Sequence, residues 1–157
     1  LVARKDAGIN SVADLKGKRV SLDEPGSGTL VDARIVLAAY GLSESDVEAE
    51  YMKPGPAGDR LRDGALDAYF FVGGYPAGAI SELATASGIT LVPISGPEVD
   101  KLLGEYGFFA KDKVPADIYL LDEMNAYLAN RGLPELVAYD RVLVAAVDGG
   151  PERRAER

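Results

Sequence analysis

The fold of this chain is decided by a short stretch near its start, Leu22-Asp23-Glu24-Pro25-Gly26-Ser27-Gly28-Thr29. An apolar segment at residues 19–22 precedes it and predicts a β-strand. A run of apolar residues follows it and predicts a helix from Thr29 to about Tyr40, which ends before Gly41. Because glycine lacks a Cβ, the turn lets the backbone approach a ligand closely. The stretch therefore predicts a strand, a glycine-rich turn and a helix.

The start of that helix is a candidate anion site. Ser27 or Thr29 is suited to the N-cap position, where its hydroxyl accepts a hydrogen bond from a first-turn amide. The remaining amides and the positive end of the helix dipole attract a negative group. The stretch is not a P-loop, because that motif requires a lysine that is absent here. A capped turn without a ligand explains the same pattern.

Composition limits the possible functions. The chain has 157 residues, of which 47 % are hydrophobic, and this suits one domain with a core of its own. No apolar run approaches the roughly 18–20 residues of a membrane span, so direct membrane insertion is not expected. The net charge of −8 argues against nucleic acid as a partner. Since the chain has no Cys and no His, we expect no enzyme activity, catalytic residue, metal site or cofactor.

Strands and helices alternate along the first two thirds of the chain. Strands are predicted at residues 47–52, 66–72, 89–94 and 107–110, and helices at residues 57–63, 76–87 and 97–106. Residues 66–72 are apolar on both faces, which is typical of an interior parallel strand. The alternation predicts an α/β fold with a mainly parallel sheet and helices on both faces. Beyond Tyr119 the pattern weakens, with a possible helix at residues 121–131 and a possible strand at residues 140–147.

Ligands of parallel sheets bind outside the carboxyl ends of the strands. Three loops rich in Gly and Pro follow predicted strands, at residues 25–29, 54–59 and 73–76, so we expect all three at one edge. The predicted ligand-binding residues are Pro25, Gly26, Ser27, Gly28, Thr29, Gly73, Gly74 and Tyr75. We expect Phe70 and Phe71 in the core, and Asp23 and Glu24 as a solvated pair. Arg34 could point along the helix towards an anion, but we expect it to be solvated or ion-paired.

The sequence resembles the TAXI-type solute-binding proteins of tripartite ATP-independent periplasmic (TRAP) transporters. The matching segments are residues 11–21 (SVADLKGKRVS), 25–29 (PGSGT), 61–68 (LRDGALDA) and 70–76 (FFVGGYP), with Pro93-Ile94. The first of these also occurs in many periplasmic binding proteins, whereas the combination at these distances is more specific. The resemblance covers roughly residues 1–119.

This resemblance implies a lobe like those of type II periplasmic binding proteins, in which two α/β lobes close on a small ligand. It implies a receptor that captures a small carboxylate, an amino acid such as glutamate or a dicarboxylate, and delivers it to the membrane subunits of a TRAP transporter. Residues 1–110 would form the ligand-binding lobe. Residues 111–157 would return towards a first lobe with no counterpart here, their tail divergent or frayed. The location would be periplasmic or extracytoplasmic, although this chain shows no signal peptide.

Two other classes of function remain open from the residues alone. A phosphoribosyltransferase-like enzyme would use the Ser-Gly-Thr turn to hold a phosphate, although no cluster of Lys or Arg accompanies the turn. An interaction module without a ligand would use the turn only as a structural element.

Overall fold

A computed structural model describes residues 1–114, Tyr119 and the backbone of residues 142–145. The strands are β1 (Val2–Arg4), β2 (Arg19–Ser21), β3 (Glu48–Glu50), β4 (Ala68–Tyr69), β5 (Ile89–Leu91), β6 (Phe109–Asp112) and β7 (Val142–Ala145). The helices are α1 (Gly28–Ala39), α2 (Pro54–Arg62), α3 (Gly78–Ser87) and α4 (Pro97–Glu105). Two short 3₁₀ turns cover Val12–Leu15 and Glu44–Asp46. The helix predicted at residues 121–131 lies outside the described residues.

The main sheet has five strands in the order β3-β2-β4-β1-β5. Strand β2 pairs in parallel with β3 and with β4, whereas β1 pairs antiparallel with β4 and with β5. Four strands therefore point one way and β1 points the other, which confirms the predicted α/β fold with a mainly parallel sheet. The segment at residues 66–72 supplies β4 and is interior, as predicted, but only Ala68 and Tyr69 form the strand. A separate antiparallel pair joins β6 to β7.

Both faces of the sheet are covered by helices. Neighbouring residues of β4 point to opposite faces, so each packs beneath a different pair of helices. Ala68 belongs to the core beneath α1 and α4, with Leu37 and Val99. Tyr69 belongs to the core beneath α2 and α3, with Leu61. Each fully buried leucine of this kind contributes about 1.5–3 kcal/mol of transfer free energy. The prediction of helices on both faces is confirmed.

Three details of the helices differ from the sequence predictions. Helix α2 begins at Pro54 rather than residue 57, because proline fits the first turn of a helix, so the loop predicted at residues 54–59 is wrong. Pro76 lies before α3, which begins at Gly78. Helix α1 covers Gly28–Ala39, so it begins and ends one residue before the predicted bounds. No helix in the described ranges is long and apolar enough to cross a membrane.

The amino ends of the two central strands are fixed by the Asp67 carboxylate, which is 12 % exposed. Its Oδ1 lies 2.6 Å from Nη2 of Arg19, and its Oδ2 accepts from the Arg19 backbone amide at 2.9 Å. The Arg4 guanidinium approaches Oδ1 at 3.5 Å from the adjacent strand β1. The Arg19 hydrogen bond lowers the pKa of Asp67 below its usual value. One carboxylate thus joins β1, β2 and the start of β4.

Asp67→Asn is expected to lower the free energy of unfolding by about 2–3 kcal/mol at neutral pH, somewhat less than for a fully buried pair, because Arg19 is partly exposed. Since the folded-state pKa is lowered, this stabilisation is complete above the unfolded pKa of about 4 and is lost as pH falls through the folded-state value. Urea denaturation at several pH values measures both effects. Asp59→Asn, which removes an exposed pair with Arg62, is the control and should change little. Equal effects of the two substitutions at neutral pH would contradict the stabilising role of the Asp67–Arg19 ion pair.

Candidate functional site

The candidate site lies at the carboxyl ends of β2, β3 and β4, called here the ligand edge. The segments that follow these strands touch one another. The Ser21 hydroxyl donates to the Met52 carbonyl at 3.1 Å, and Lys53 Nζ lies 3.6 Å from Glu24 Oε1. The Phe70 amide donates to the Ser21 carbonyl at 2.9 Å and keeps the third segment beside the first. The parallel pairing therefore brings these three chain segments to one place.

The N-terminus of α1 is the best-defined part of the ligand edge. Ser27 is the N-cap, and its Oγ accepts from the Leu30 amide at 3.1 Å. The Ser27 amide itself donates to the Glu24 carbonyl at 3.1 Å. Of the two residues predicted as cap, Ser27 is thus the one used, and Thr29 is not needed for that role.

Two backbone donors and one hydroxyl remain uncommitted at this helix start. Among the residues that the structure describes, the amides of Gly28 and Thr29 have no acceptor. The Thr29 hydroxyl also has no hydrogen-bond partner there, although the residue is only 9 % exposed. Unpaired donors at the positive end of a helix dipole are suited to a carboxylate, sulphonate or phosphate oxygen.

The two glycines of the turn have different roles. Gly26 has a φ of +89°, which residues with a Cβ rarely adopt. Gly28 has an ordinary helical conformation, and a Cβ added there would meet no atom within 4 Å. The fold requires glycine at position 26, whereas at position 28 the open space is available to a ligand. Pro25 and Gly28 are exposed, and Ser27 is partly buried.

Asp23 is buried, so the prediction that it forms a solvated pair with Glu24 is wrong. Its side chain is buried, with 7 % exposed, and its φ is +76°, the only positive value outside glycine among the described residues. The Oδ1 atom accepts from the Glu24 amide at 2.7 Å. Aspartate tolerates this left-handed conformation better than most residues, which is the one signal that a sequence offers. The residue turns the chain out of β2 and into the loop.

The segment with Gly73, Gly74 and Tyr75 is exposed at the same edge. A Cβ at Gly73 would lie 2.7 Å from the ring of Phe71, so the chain folds back tightly over that ring. The Tyr75 hydroxyl donates to Asp112 at 3.3 Å. No hydrogen bond joins this segment to residues 27–29 within the described part of the chain.

The cations close to the ligand edge are already paired with carboxylates. Arg34 Nε lies 3.1 Å from Glu44, so of the two expected states Arg34 adopts the ion-paired one, and Lys53 pairs with Glu24. Groups of three or more acidic residues able to hold a metal ion are absent from the part of the chain that the structure describes. An anion at this edge would therefore be bound by the backbone and hydroxyl donors of α1.

The sequence matches the NMT1-like family over residues 1–132, which is most of its length. The chain belongs to the NMT1-like family. This match covers all the predicted ligand-binding residues and both core clusters. The family match does not show that the chain is of the TAXI type, and it does not identify a TRAP transporter as the partner.

Two solved structures are similar to this NMT1-like chain. The periplasmic aliphatic sulphonate-binding protein SsuA of Escherichia coli is 25 % identical over 58 % of this chain, with a TM-score of 0.49. The alkanesulfonate-binding protein SsuA of Xanthomonas axonopodis pv. citri, solved bound to MOPS, is 23 % identical over 85 % of this chain, also with a TM-score of 0.49. The chain spans 30 % of the first protein and 50 % of the second.

The left-handed conformation of Asp23 predicts an unusual order of stability among its variants. Asp23→Ala removes the hydrogen bond to the Glu24 amide and keeps a Cβ at positive φ, at a cost of about 1–2 kcal/mol. Asp23→Gly removes the same bond but relieves the backbone, and should be the more stable of the two variants. Thermal denaturation of both variants measures the order. A glycine variant less stable than the alanine variant would show that the positive φ does not determine the choice of residue.

Proposed function

We propose that this chain is the ligand-binding lobe of an extracytoplasmic solute-binding receptor that captures a small organic anion for uptake. The observation that carries the proposal is the pair of uncommitted amides, of Gly28 and Thr29, at the start of α1. They lie at the carboxyl ends of parallel strands, where ligands of α/β sheets bind. Membership of the NMT1-like family is consistent with a binding protein of this kind rather than an enzyme.

The electrostatics of the ligand edge favour one anionic group bound by neutral donors. A hydrogen bond to a charged group contributes roughly 1.5–3 kcal/mol, and an exposed helix N-terminus adds about 0.3–1 kcal/mol. Since Lys53 and Arg34 are both paired, neither of these two cations beside the ligand edge is free to bind a second anionic group. A dicarboxylate or an amino acid such as glutamate would need its other polar groups bound elsewhere.

The ligand class that follows from the TAXI resemblance is a small carboxylate. The two similar solved proteins are named for sulphonates, and a sulphonate presents oxygens to the same donors. We place carboxylates first because the sequence resemblance is to carboxylate receptors. In this proposal residues 1–110 form the ligand-binding lobe, and residues 111–157 lead towards the first lobe. Gly73, Gly74 and Tyr75 form the neighbouring wall, and the membrane subunits of a TRAP transporter receive the ligand outside the cytoplasm.

The phosphoribosyltransferase-like alternative finds less support at this edge. A pyrophosphate carries several negative charges and needs cations to bind it. Here the acidic residues Asp23 and Glu24 directly precede the loop, and the nearby cations are paired. Phosphoribosyl pyrophosphate is therefore included as a competing ligand in the test below.

Binding is best tested by titrating the ¹⁵N-labelled chain with glutamate, succinate, an alkanesulphonate and phosphoribosyl pyrophosphate. A single lobe provides only part of a cleft, so we expect a Kd of about 1 mM, equivalent to about 4 kcal/mol. The amide signals of Gly28 and Thr29 should move most. Gly28→Pro removes one donor and still suits the first helical position, because Ser27 is extended (ψ 150°) and proline is favoured there. It should weaken binding at least about tenfold with little change in melting temperature.

Two further variants separate the backbone donors from the side chains. Ser27→Ala should weaken binding about tenfold and also cost about 1 kcal/mol of stability through the lost cap. Arg34→Ala should leave binding unchanged, because that guanidinium is engaged by Glu44. If Gly28→Pro binds as well as the unmodified chain, or if no anion shifts the Gly28 signal, the proposed site is wrong. Preference for phosphoribosyl pyrophosphate over all carboxylates and sulphonates would favour the enzyme alternative.

A further inference from the structure

The segment at residues 71–77, called here the β4–α3 loop, has almost no internal support. Apart from Tyr75, its residues up to Pro76 make no hydrogen bond in the described part of the chain. Residues 72–76 are all exposed, and Gly73 is packed against the Phe71 ring. A loop with so few contacts of its own takes its shape from the groups that hold it from outside.

One such group is the hydroxyl of Tyr119. It accepts a hydrogen bond from the Ala77 amide at 2.8 Å, and the side chain of Tyr119 is buried, with 3 % exposed. Ala77 is the N-cap residue of α3 and has no side chain that could cap the helix. Tyr119 packs in the same core cluster as Tyr69, whose pKa is raised to about 12 by burial and by the Tyr119 phenol. The far end of the loop is thus fixed by a residue 42 positions later in the chain.

A second group is the carboxylate of Asp112, at the end of β6. It accepts from the Tyr75 hydroxyl at 3.3 Å, in the middle of the exposed part of the loop. Strand β6 is held in turn by β7, its antiparallel partner, with Asp112 opposite Val142. These two supports of the β4–α3 loop therefore come from the chain that follows α4, outside the five-stranded sheet.

We propose that Tyr119 and Asp112 are positioning residues for the β4–α3 loop, so that the segment following α4 controls how Gly73 and Gly74 face the ligand. This inference rests on the proposed function for the part that concerns the ligand. Under this proposal, a movement of Asp112 or Tyr119 is transmitted to the loop through the Tyr75–Asp112 and Tyr119–Ala77 hydrogen bonds. The loop would be ordered for binding only while both contacts are present.

The test uses the ¹⁵N-labelled 157-residue chain without ligand, and measures amide hydrogen exchange and chemical shifts. Tyr119→Phe removes one hydroxyl and should speed exchange of the Ala77 amide by about five- to tenfold. Tyr119→Phe and Asp112→Ala should each shift the signals of Gly73 and Gly74. Asp112 is exposed, so its substitution should leave the core intact.

Tyr40→Phe is the matched control. Its hydroxyl also bonds to backbone, donating to the Ser95 carbonyl at 2.5 Å and accepting from the Ser95 amide at 2.9 Å, on the other face of the sheet. Tyr40→Phe should lower stability without changing the Gly73 and Gly74 signals. Unchanged loop signals in both Tyr119→Phe and Asp112→Ala would overturn the positioning role.

A second readout is the affinity for succinate, or for whichever anion the unmodified chain binds. Tyr119→Phe and Asp112→Ala should weaken it several-fold, and Tyr40→Phe should not. If the loop signals shift while affinity stays within about twofold, the control of binding is overturned although the contacts hold the loop. If the unmodified chain binds no anion while the loop signals shift, the proposed function fails and the positioning of the loop stands.

Discussion

The ion pair between Asp67 and Arg19 is the interaction on which the rest of the described fold depends. The Asp67 carboxylate accepts from both the backbone and the guanidinium of Arg19 and lies beside Arg4, so β2, β4 and β1 meet at one buried charge. A one-residue shift between these short strands would turn every side chain to the opposite face, and strands of two or three residues have few ladder bonds to prevent it. The ion pair therefore sets the register at one edge of the sheet, and the ligand edge lies at the other.

From that register the geometry of the ligand edge follows. Strand β2 ends between β3 and β4, and Asp23, in a left-handed conformation, turns the chain directly into the start of α1. The nearby cations are paired, so in the proposed site the attraction for an anion would come from amides that the helix itself cannot satisfy. A site of this kind has few charged side chains that could distinguish one anion from another. Its selectivity would depend on the surrounding walls, and one of those walls, the β4–α3 loop, is supported from outside the sheet.

The local features of the lobe were determined by the sequence alone. They include a hydroxyl cap at Ser27 or Thr29, the ends of α1 and α4 to within one residue, and the interior position of residues 66–72. All of these are set by residues close in the chain or by hydrophobic pattern. Short-range hydrogen bonds and periodic burial leave a readable pattern, and for that reason these predictions are confirmed. Pro54 is one exception, because proline is typical of loops and also begins helices.

Only the tertiary structure decided which distant groups meet. The fold pairs Asp67 with Arg19 and brings Tyr119 and Asp112 to the β4–α3 loop, although these residues are far apart in sequence. It also decides the reversed direction of β1 and the burial of Asp23. A single chain carries no pattern for such pairs, because any carboxylate can pair with any of several arginines until packing selects one. The sequence therefore determined a glycine-rich turn with a capped helix start, and the fold decided which groups surround that turn.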